Sequence, residues 1–290
     1  MPILPTGPAR DVPELSIRVT PVRFEQVGDR VSIDICFVCC TDVEEDALVS
    51  RLFSGGRTPA PRPYPPSYRR FYRARVSHAG RSYEIAACKA SDQGALDMLT
   101  TLVDVHDHFA PRAVCLVGIA GALDSDLGIG DVVVASRVYL YERGKDRGAA
   151  VDRELRSFSM DEELANVVDG AIGDMRRINQ DVSITVAPYG TGEKVVASEL
   201  SEVRDYLLHV DRKVAAVEME SGGFYRYFTS PVFKRSGDVW LVVKGMSDHA
   251  DPSKGDRDQA LAARNSVNGA LGVVTRVLEQ YELTDSHSIV

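Results

Sequence analysis

The stretch Trp240-Leu241-Val242-Val243-Lys244-Gly245-Met246-Ser247-Asp248-His249-Ala250-Asp251 constrains this chain more than any other. It opens as a continuous apolar run, the pattern of a strand buried on both faces. Such a strand needs helices packed on either side of its sheet. Gly245 lets the backbone turn or come close to another element. Ser247 and Asp248 follow where the strand must end, and in open α/β sheets ligands bind just beyond the carboxyl ends of strands. A carboxylate against an apolar wall is costly if ionised and unpaired. Its pKa is expected to rise, and a neutral carboxylic acid can donate a proton. Taken alone, this stretch favours the plainer reading, that Ser247 and Asp248 cap the next helix.

The bulk of the chain is compatible with that strand. Its 290 residues are 44% hydrophobic and 26% charged, ample for a full core. Strands alternate with helices, with no internal repeat and no clear linker, which gives one α/β domain over residues 31–283. Residues 1–30, rich in proline, form an N-terminal extension with an edge-strand pattern from Leu15 to Phe24, and residues 284–290 form a polar tail. The formal net charge of -8 argues against a nucleic-acid partner. No apolar run approaches the roughly 20 residues that span a bilayer. Met1 to Arg10 lacks the charged-then-apolar order of a signal peptide. The five cysteines, Cys36, Cys39, Cys40, Cys88 and Cys115, lie in apolar, strand-like runs. A strand points Cys36 and Cys39 to opposite faces, so their C-x-x-C spacing reads as buried reduced thiols and not as a metal or redox site. A cytoplasmic chain is expected.

Along the chain, Ile33–Cys40 reads as a strand and Ala47–Phe53 as a helix, with the acidic Asp42-Val43-Glu44-Glu45-Asp46 at the corner between them. Acidic residues there suit the positive end of a helix. Ser54–Tyr68 is a loop rich in Gly and Pro, set in an arginine-rich surrounding that reads mostly as a solvated face. Arg73–Cys88 is a hairpin turning at Ala79-Gly80. Asp92 caps a helix that Pro111 closes. Ala113–Val117 is a buried strand emptying into Gly118-Ile119-Ala120-Gly121, small enough for a flat ligand to approach the backbone. Gly128–Asp131 is a turn before the strand Val132–Ala135, and Tyr139–Arg156 is a polar loop. Ser159-Met160-Asp161-Glu162 matches a capping box. Ser183–Ala187 is a strand, Gly190–Val196 a loop, Glu199–His209 a helix and Val214–Val217 a short strand into Glu218-Met219-Glu220. Asp256–Tyr281 is the terminal helix.

In this order, the acidic corner at Glu44, Gly118-Ile119-Ala120-Gly121, Gly192-Glu193-Lys194-Val195-Val196, Val217-Glu218-Met219-Glu220 and Ser247-Asp248-His249-Ala250-Asp251 resemble the nucleoside phosphorylase and hydrolase superfamily. Within it the chain is most similar to the methylthioadenosine/S-adenosylhomocysteine nucleosidases, from about Ile33 to Tyr281. The resemblance implies a three-layer α/β/α sandwich around a twisted, largely parallel mixed sheet that curls at one side. It implies a homodimer, no cofactor, no metal, and a small purine nucleoside or nucleotide as partner, with adenine the expected base.

The resemblance also implies roles. Asp248 looks like the acid that hydrogen-bonds purine N7, with Ser247 supporting it. Glu220 looks like the carboxylate that holds the ribose hydroxyls, beside Glu218, and Met219 like the thioether packed on the sugar. Val195 and Val196 look like the segment flanking the base. Ile119, Ala120 and Gly121 look like the strand end lining the sugar and the nucleophile, and Glu44, by a one-residue preference over Glu45, looks like the residue that activates water. His249 reads as a surface residue. The start of the last helix, Lys254-Gly255-Asp256-Arg257-Asp258, is polar where these nucleosidases carry an apolar pocket, so Lys254 and Arg257 become candidates for binding a 5′ phosphate. The activity implied is hydrolysis of an N-glycosidic bond. A phosphorylase is the alternative, disfavoured because the acidic first corner repels phosphate. A catalytically idle nucleoside sensor is the other alternative, and it would not need Glu44.

Overall fold

The computed structural model describes residues 18–20, 26–27, 30–53, 62–64, 69–78, 80–146, 151–178, 183–196, 198, 201–232, 239–250 and 256–287. The strands are β1 (Arg18–Thr20), β2 (Gln26–Val27), β3 (Arg30–Cys39), β4 (Arg62–Tyr64), β5 (Arg69–His78), β6 (Arg81–Lys89), β7 (Phe109–Ala122), β8 (Val132–Leu140), β9 (Gly144–Asp146), β10 (Val151–Arg153), β11 (Arg156–Ser159), β12 (Ile184–Thr191), β13 (Ala216–Glu218) and β14 (Val239–Asp248). The helices are α1 (Asp42–Phe53), α2 (Ala95–His108), α3 (Glu162–Ile178), α4 (Glu202–Val210), α5 (Ser221–Thr229) and α6 (Asp256–His287).

β14 is buried along its whole length, as its apolar run requires. It pairs parallel with β7 and antiparallel with β8. β8 pairs parallel with β12, β12 parallel with β13, and β13 returns antiparallel to β7 through Ala216↔Ala122 and Val217↔Gly121. These strands therefore close into a ring, which accumulated strand twist makes possible. From β7 an open wing extends through β3, β6 and β5 to β1, which lies at the sheet edge.

The sheet is mixed and curls at one side, as expected, but there it closes completely into a small barrel, so the architecture is not a simple three-layer sandwich. Parallel pairing is confined to β6–β3–β7–β14 and β8–β12–β13. Hairpins such as β5–β6 must pair antiparallel because their connections are short.

α6 lies along β14 and β7 and touches α1 and α3, while α2 and α5 pack on each other. The contact between β14 and α6 explains Gly245. A Cβ there would lie 2.0 Å from the Ala262 carbonyl oxygen, so the glycine serves close approach and not a turn. Two buried polar residues of α6 serve the sheet and its connections: Asn265 Nδ2 donates to the carbonyl of Gly130, in the turn before β8, at 2.8 Å, and Ser266 Oγ accepts from the Gly118 N–H of β7 at 3.0 Å.

Several local expectations move. α1 begins at Asp42 and not at Ala47, because Thr41 and Glu44 form a capping box: the Glu44 N–H donates to Thr41 Oγ1 at 3.4 Å and the Thr41 N–H to Glu44 Oε2 at 2.9 Å. α2 starts after Gly94, not at Asp92, and Pro111 lies inside β7, where it opens the strand beside Ile33 instead of closing the helix. Tyr139–Arg156 holds the end of β8 and the β9–β10 hairpin. Ser159 ends β11 and accepts from Arg137 Nε at 2.8 Å, so it opens no capping box. α4 starts at Glu202, with Ser201 capping it, and α6 continues past Tyr281 to His287. The Ala79-Gly80 turn holds at its described residue, Gly80, with φ 82°. All five cysteines are buried and free, and burial pushes the Cys39 and Cys40 thiols well above the usual range. No helix among the described residues is long and apolar enough to cross a membrane.

Candidate active site

The carboxyl ends of β3, β7, β13 and β14 meet around one cleft, with an empty volume of about 560 Å³ including its open mouth. Glu44, Ile119, Ala120, Gly121, Val195, Val196, Glu218, Met219, Glu220, Ser247 and Asp248 all line it. Gln93, Lys194, Val217 and Gln259 complete the lining; Lys194 and Val217 stand within the quoted motifs without an assigned role, and Gln93 and Gln259 were not singled out from the sequence. Lys254 lies outside the described residues, as does the side chain of Arg257.

Glu44 is held from three directions. Its Oε2 accepts from the Cys40 and Thr41 N–H groups at 2.8 and 2.9 Å, and its Oε1 accepts from the Ile119 N–H at 2.8 Å. The capping box therefore fixes one carboxylate oxygen while the other crosses to the end of β7. Only 2% of the residue is exposed, so this geometry is rigid. Its neighbour Glu45 turns away, accepting from Tyr72 Oη at 3.1 Å and pairing with Lys89 Nζ at 3.1 Å.

A lysine completes this floor. Lys244 projects from β14 with no exposed surface; its Nζ lies 3.0 Å from Glu220 Oε2, 3.9 Å from Glu44 Oε1 and 4.0 Å from Glu218 Oε2. Burial works against its charge, but the carboxylates of Glu220, Glu44 and Glu218 outweigh that and hold the ammonium well above the ordinary lysine range. One cation facing three carboxylates leaves surplus negative charge. Burial, with Glu218 adding to it, therefore raises the Glu220 carboxyl above its ordinary value despite the pull of Lys244. Sequence reasoning missed Lys244, although a charged residue inside an otherwise unbroken apolar strand was a usable signal.

Glu218 has a second duty. Its Oε2 accepts from the Glu220 and Ser221 N–H groups, both at 2.9 Å, and so caps the start of α5. Met219 between them is half-buried and faces the cleft.

Asp248 stands at the carboxyl end of β14. A bulge between Met246 and Asp248 breaks the ladder with β7 and re-aims the end of β14, so that both Ser247 and Asp248 reach the cleft. Ser247 Oγ lies 2.7 Å from Asp248 Oδ2 and 3.3 Å from the Ala120 carbonyl oxygen. The Ala250 N–H donates to Asp248 Oδ1 at 2.9 Å, and Ala250 holds φ at 55°, a left-handed conformation that costs about 1 kcal/mol in a residue other than glycine. His249 is half-buried, and its carbonyl accepts from Arg204 of α4 at 3.4 Å.

The small residues at the end of β7 serve two ends: Ile119, Ala120 and Gly121 line the cleft, while Gly118 makes room for side chains of the site. The place of a Cβ on Gly118 is taken by Glu44 and Lys244. Among the described residues no cluster of His, Cys, Asp and Glu is arranged to hold a metal ion.

The fold and this ring of strand-end carboxylates define a class, and comparison with known proteins agrees with it. The family model of the phosphorylase superfamily matches residues 95–279, and the chain belongs to that superfamily. The 5′-methylthioadenosine/S-adenosylhomocysteine nucleosidase of Mycobacterium bovis is 30% identical over 193 residues, which cover 57% of this chain and 70% of that protein. The nucleosidase of the same name from an Exiguobacterium species is 28% identical over 185 residues, covering 60% and 72%. Among solved structures, the nucleosidase of Neisseria meningitidis in complex with methylthio-immucillin-A superposes with a TM-score of 0.62 at 19% identity, covering 84% of this chain and 98% of that one. Futalosine hydrolase of Helicobacter pylori superposes with a TM-score of 0.60 at 19% identity, covering 83% and 97%. The family match begins at Ala95, so Glu44 and the strand before it lie outside it.

Proposed function

We propose that the chain is a purine nucleoside or nucleotide N-ribosyl hydrolase, with adenine as its base, that releases the free base by attack of water at C1′. The observation that carries this reading is the separation of two carboxylates in one cleft: Asp248 with its Ser247 and Ala250 partners, and Glu44 fixed by three backbone N–H groups. Departure of an anionic purine is slow. A proton supplied by Asp248 at N7 makes the leaving base neutral, worth a factor of ~10²–10⁴ in rate.

As the bond breaks, the sugar becomes oxocarbenium-like. Glu220, holding the ribose hydroxyls, and Glu44 place negative charge beside it. Glu44 takes the proton from water as it attacks. Lys244 offsets part of the surplus negative charge and favours the ionised form of Glu220, against the rise that burial imposes. Val195 and Val196 flank the base, and Met219 packs on the sugar.

The same charges argue against a phosphorylase. Lys244, the cation at the floor among the described residues, is already committed to three carboxylates, and a dianionic phosphate placed among them is repelled. A nucleotide remains a candidate substrate through Lys254 and Arg257, and we extend the reading to a homodimer, checked by mass in solution. The test of the whole is incubation with methylthioadenosine, S-adenosylhomocysteine, adenosine, AMP, ATP and NAD, with assay of free base. Release of adenine without added phosphate supports the reading; release only with phosphate makes the chain a phosphorylase, and release from none of them removes it.

A further inference from the structure

Burial positions only part of the wall of the cleft that carries Val195 and Val196. Val196 is buried in a hydrophobic cluster, but Val195 is 57% exposed. What else holds the wall lies just before it. The Glu193 N–H donates to Glu142 Oε2 at 2.7 Å, and Glu193 Oε1 accepts from the Ala95 N–H at 3.1 Å. Tyr141 Oη donates to the Lys194 carbonyl oxygen at 2.8 Å, and its ring fills the space a Cβ on Gly192 would need, 2.4 Å from Cζ.

Ala95 is the first residue of α2, whose opening N–H groups have no partner within the helix and whose positive end favours a carboxylate. Gly94 makes the approach possible: with φ at 105° and no side chain, it leaves the place that Glu193 Oε2 occupies, 2.4 Å from an added Cβ. The Gly94 N–H also serves Glu220. The start of α2 thus touches both the wall and the ribose-side carboxylate.

We propose that Glu193 is a positioning residue, a clasp that ties the 192–196 segment to the N-terminus of α2 and so sets where Val195 and Val196 stand against a bound base. The ligand named here rests on the nucleosidase reading; the clasp itself does not. Glu193 touches no reacting atom, so its loss falls on binding rather than on the chemical step.

Glu193→Ala and Glu193→Gln separate the possibilities, because the glutamine amide oxygen still accepts from the Ala95 N–H and the alanine has no acceptor. In Glu193→Ala, KM for the nucleoside that the panel identifies and the Kd of free adenine by calorimetry should both rise by up to about tenfold, the effect of losing one hydrogen bond. Its kcat should stay within about threefold, and Glu193→Gln should stay within about threefold of wild type throughout. Trypsin cleavage after Lys194, followed by mass spectrometry, reads the clasp without substrate and should be several times faster in Glu193→Ala only. Unchanged KM and adenine affinity in all three proteins overturn the proposal, as does a loss confined to kcat or a glutamine variant as impaired as the alanine. If wild type releases no base from any compound, the nucleosidase reading falls, and equal cleavage after Lys194 in all three proteins then overturns the clasp on its own.

Discussion

Glu44 enters the site through space that position 118 leaves free only as glycine: a Cβ there would lie 2.0 Å from Glu44 Oε1. The same Cβ would lie 2.9 Å from Lys244 Nζ. A residue on α1, one on β7 and one on β14 therefore share a single small volume, and each restricts what the others can be.

Gly118→Ala tests this packing. The methyl group must push Glu44 off the N–H groups of Cys40, Thr41 and Ile119, since the carboxylate has nowhere else to go inside a buried corner. Base release is expected to fall by ~10²-fold or more, as for loss of a positioned base. Thermal unfolding should drop as well, because the capping box of α1 is disturbed. Wild-type activity in this variant would show that Glu44 need not stand where it does.

Lys244→Met removes the buried cation and leaves Glu44, Glu218 and Glu220 facing one another. Breaking a buried ion pair from one side costs about 3–5 kcal/mol. The pH dependence has a definite sign. The folded-state pKa of Lys244 is raised, so its stabilisation is present at neutral pH and lost only under alkaline conditions, as pH climbs to its folded value. Glu220 is also raised, so its contribution is fully present below the ordinary carboxylate pKa and lost as pH rises through its folded value. Acidification protonates Glu220, the carboxylate nearest Lys244. The gap in Tm between wild type and variant should therefore narrow as pH falls into the carboxylate range, measured by calorimetry; a gap independent of pH would show that the cluster is not electrostatically joined.

Asp248→Asn keeps the shape of the side chain but cannot deliver a proton. We expect kcat to fall by ~10²-fold or more, with nucleoside binding retained. Near-normal turnover of a purine substrate would remove Asp248 from the mechanism.

Glu44→Gln keeps size and an acceptor but loses the base and its charge, and hydrolysis should fall by ~10²-fold or more. Glu45→Gln is the internal control. Glu45 is spent on Tyr72 and Lys89 outside the cleft, so its substitution should leave kcat/KM close to wild type. The wild-type rate should not depend on phosphate. A ribose-1-phosphate product, or a loss in Glu45→Gln matching that in Glu44→Gln, would contradict the assignment.

The strand ends were legible because burial on both faces writes an unbroken apolar run, and polar residues at its end stand out against it. Trp240–Val243 running into Ser247-Asp248 is of this kind, and Ala113–Val117 runs instead into the small residues Gly118–Gly121; both end at the cleft. Helix starts were harder to place. Thr41-Asp42-Val43-Glu44 carries the pattern of a capping box, yet it sits within an acidic corner where the helix dipole alone explains the charges. Pro111 reads as a stop signal, but at the opening of β7 its missing N–H costs little.

What the sequence by itself determined is the alternation of buried strands with helices and the chemical identity of the groups at the strand ends, because these follow from local periodicity and local polarity. Only the tertiary structure decided that the sheet closes through β13 onto β7, that Lys244 stands among Glu44, Glu218 and Glu220, that Gly118 makes room for Glu44, and that Glu193 reaches the first turn of α2. Each of these is a contact between residues distant in the chain, set by strand twist, register and the space left by a missing Cβ, and no run of neighbouring residues carries a signature of it.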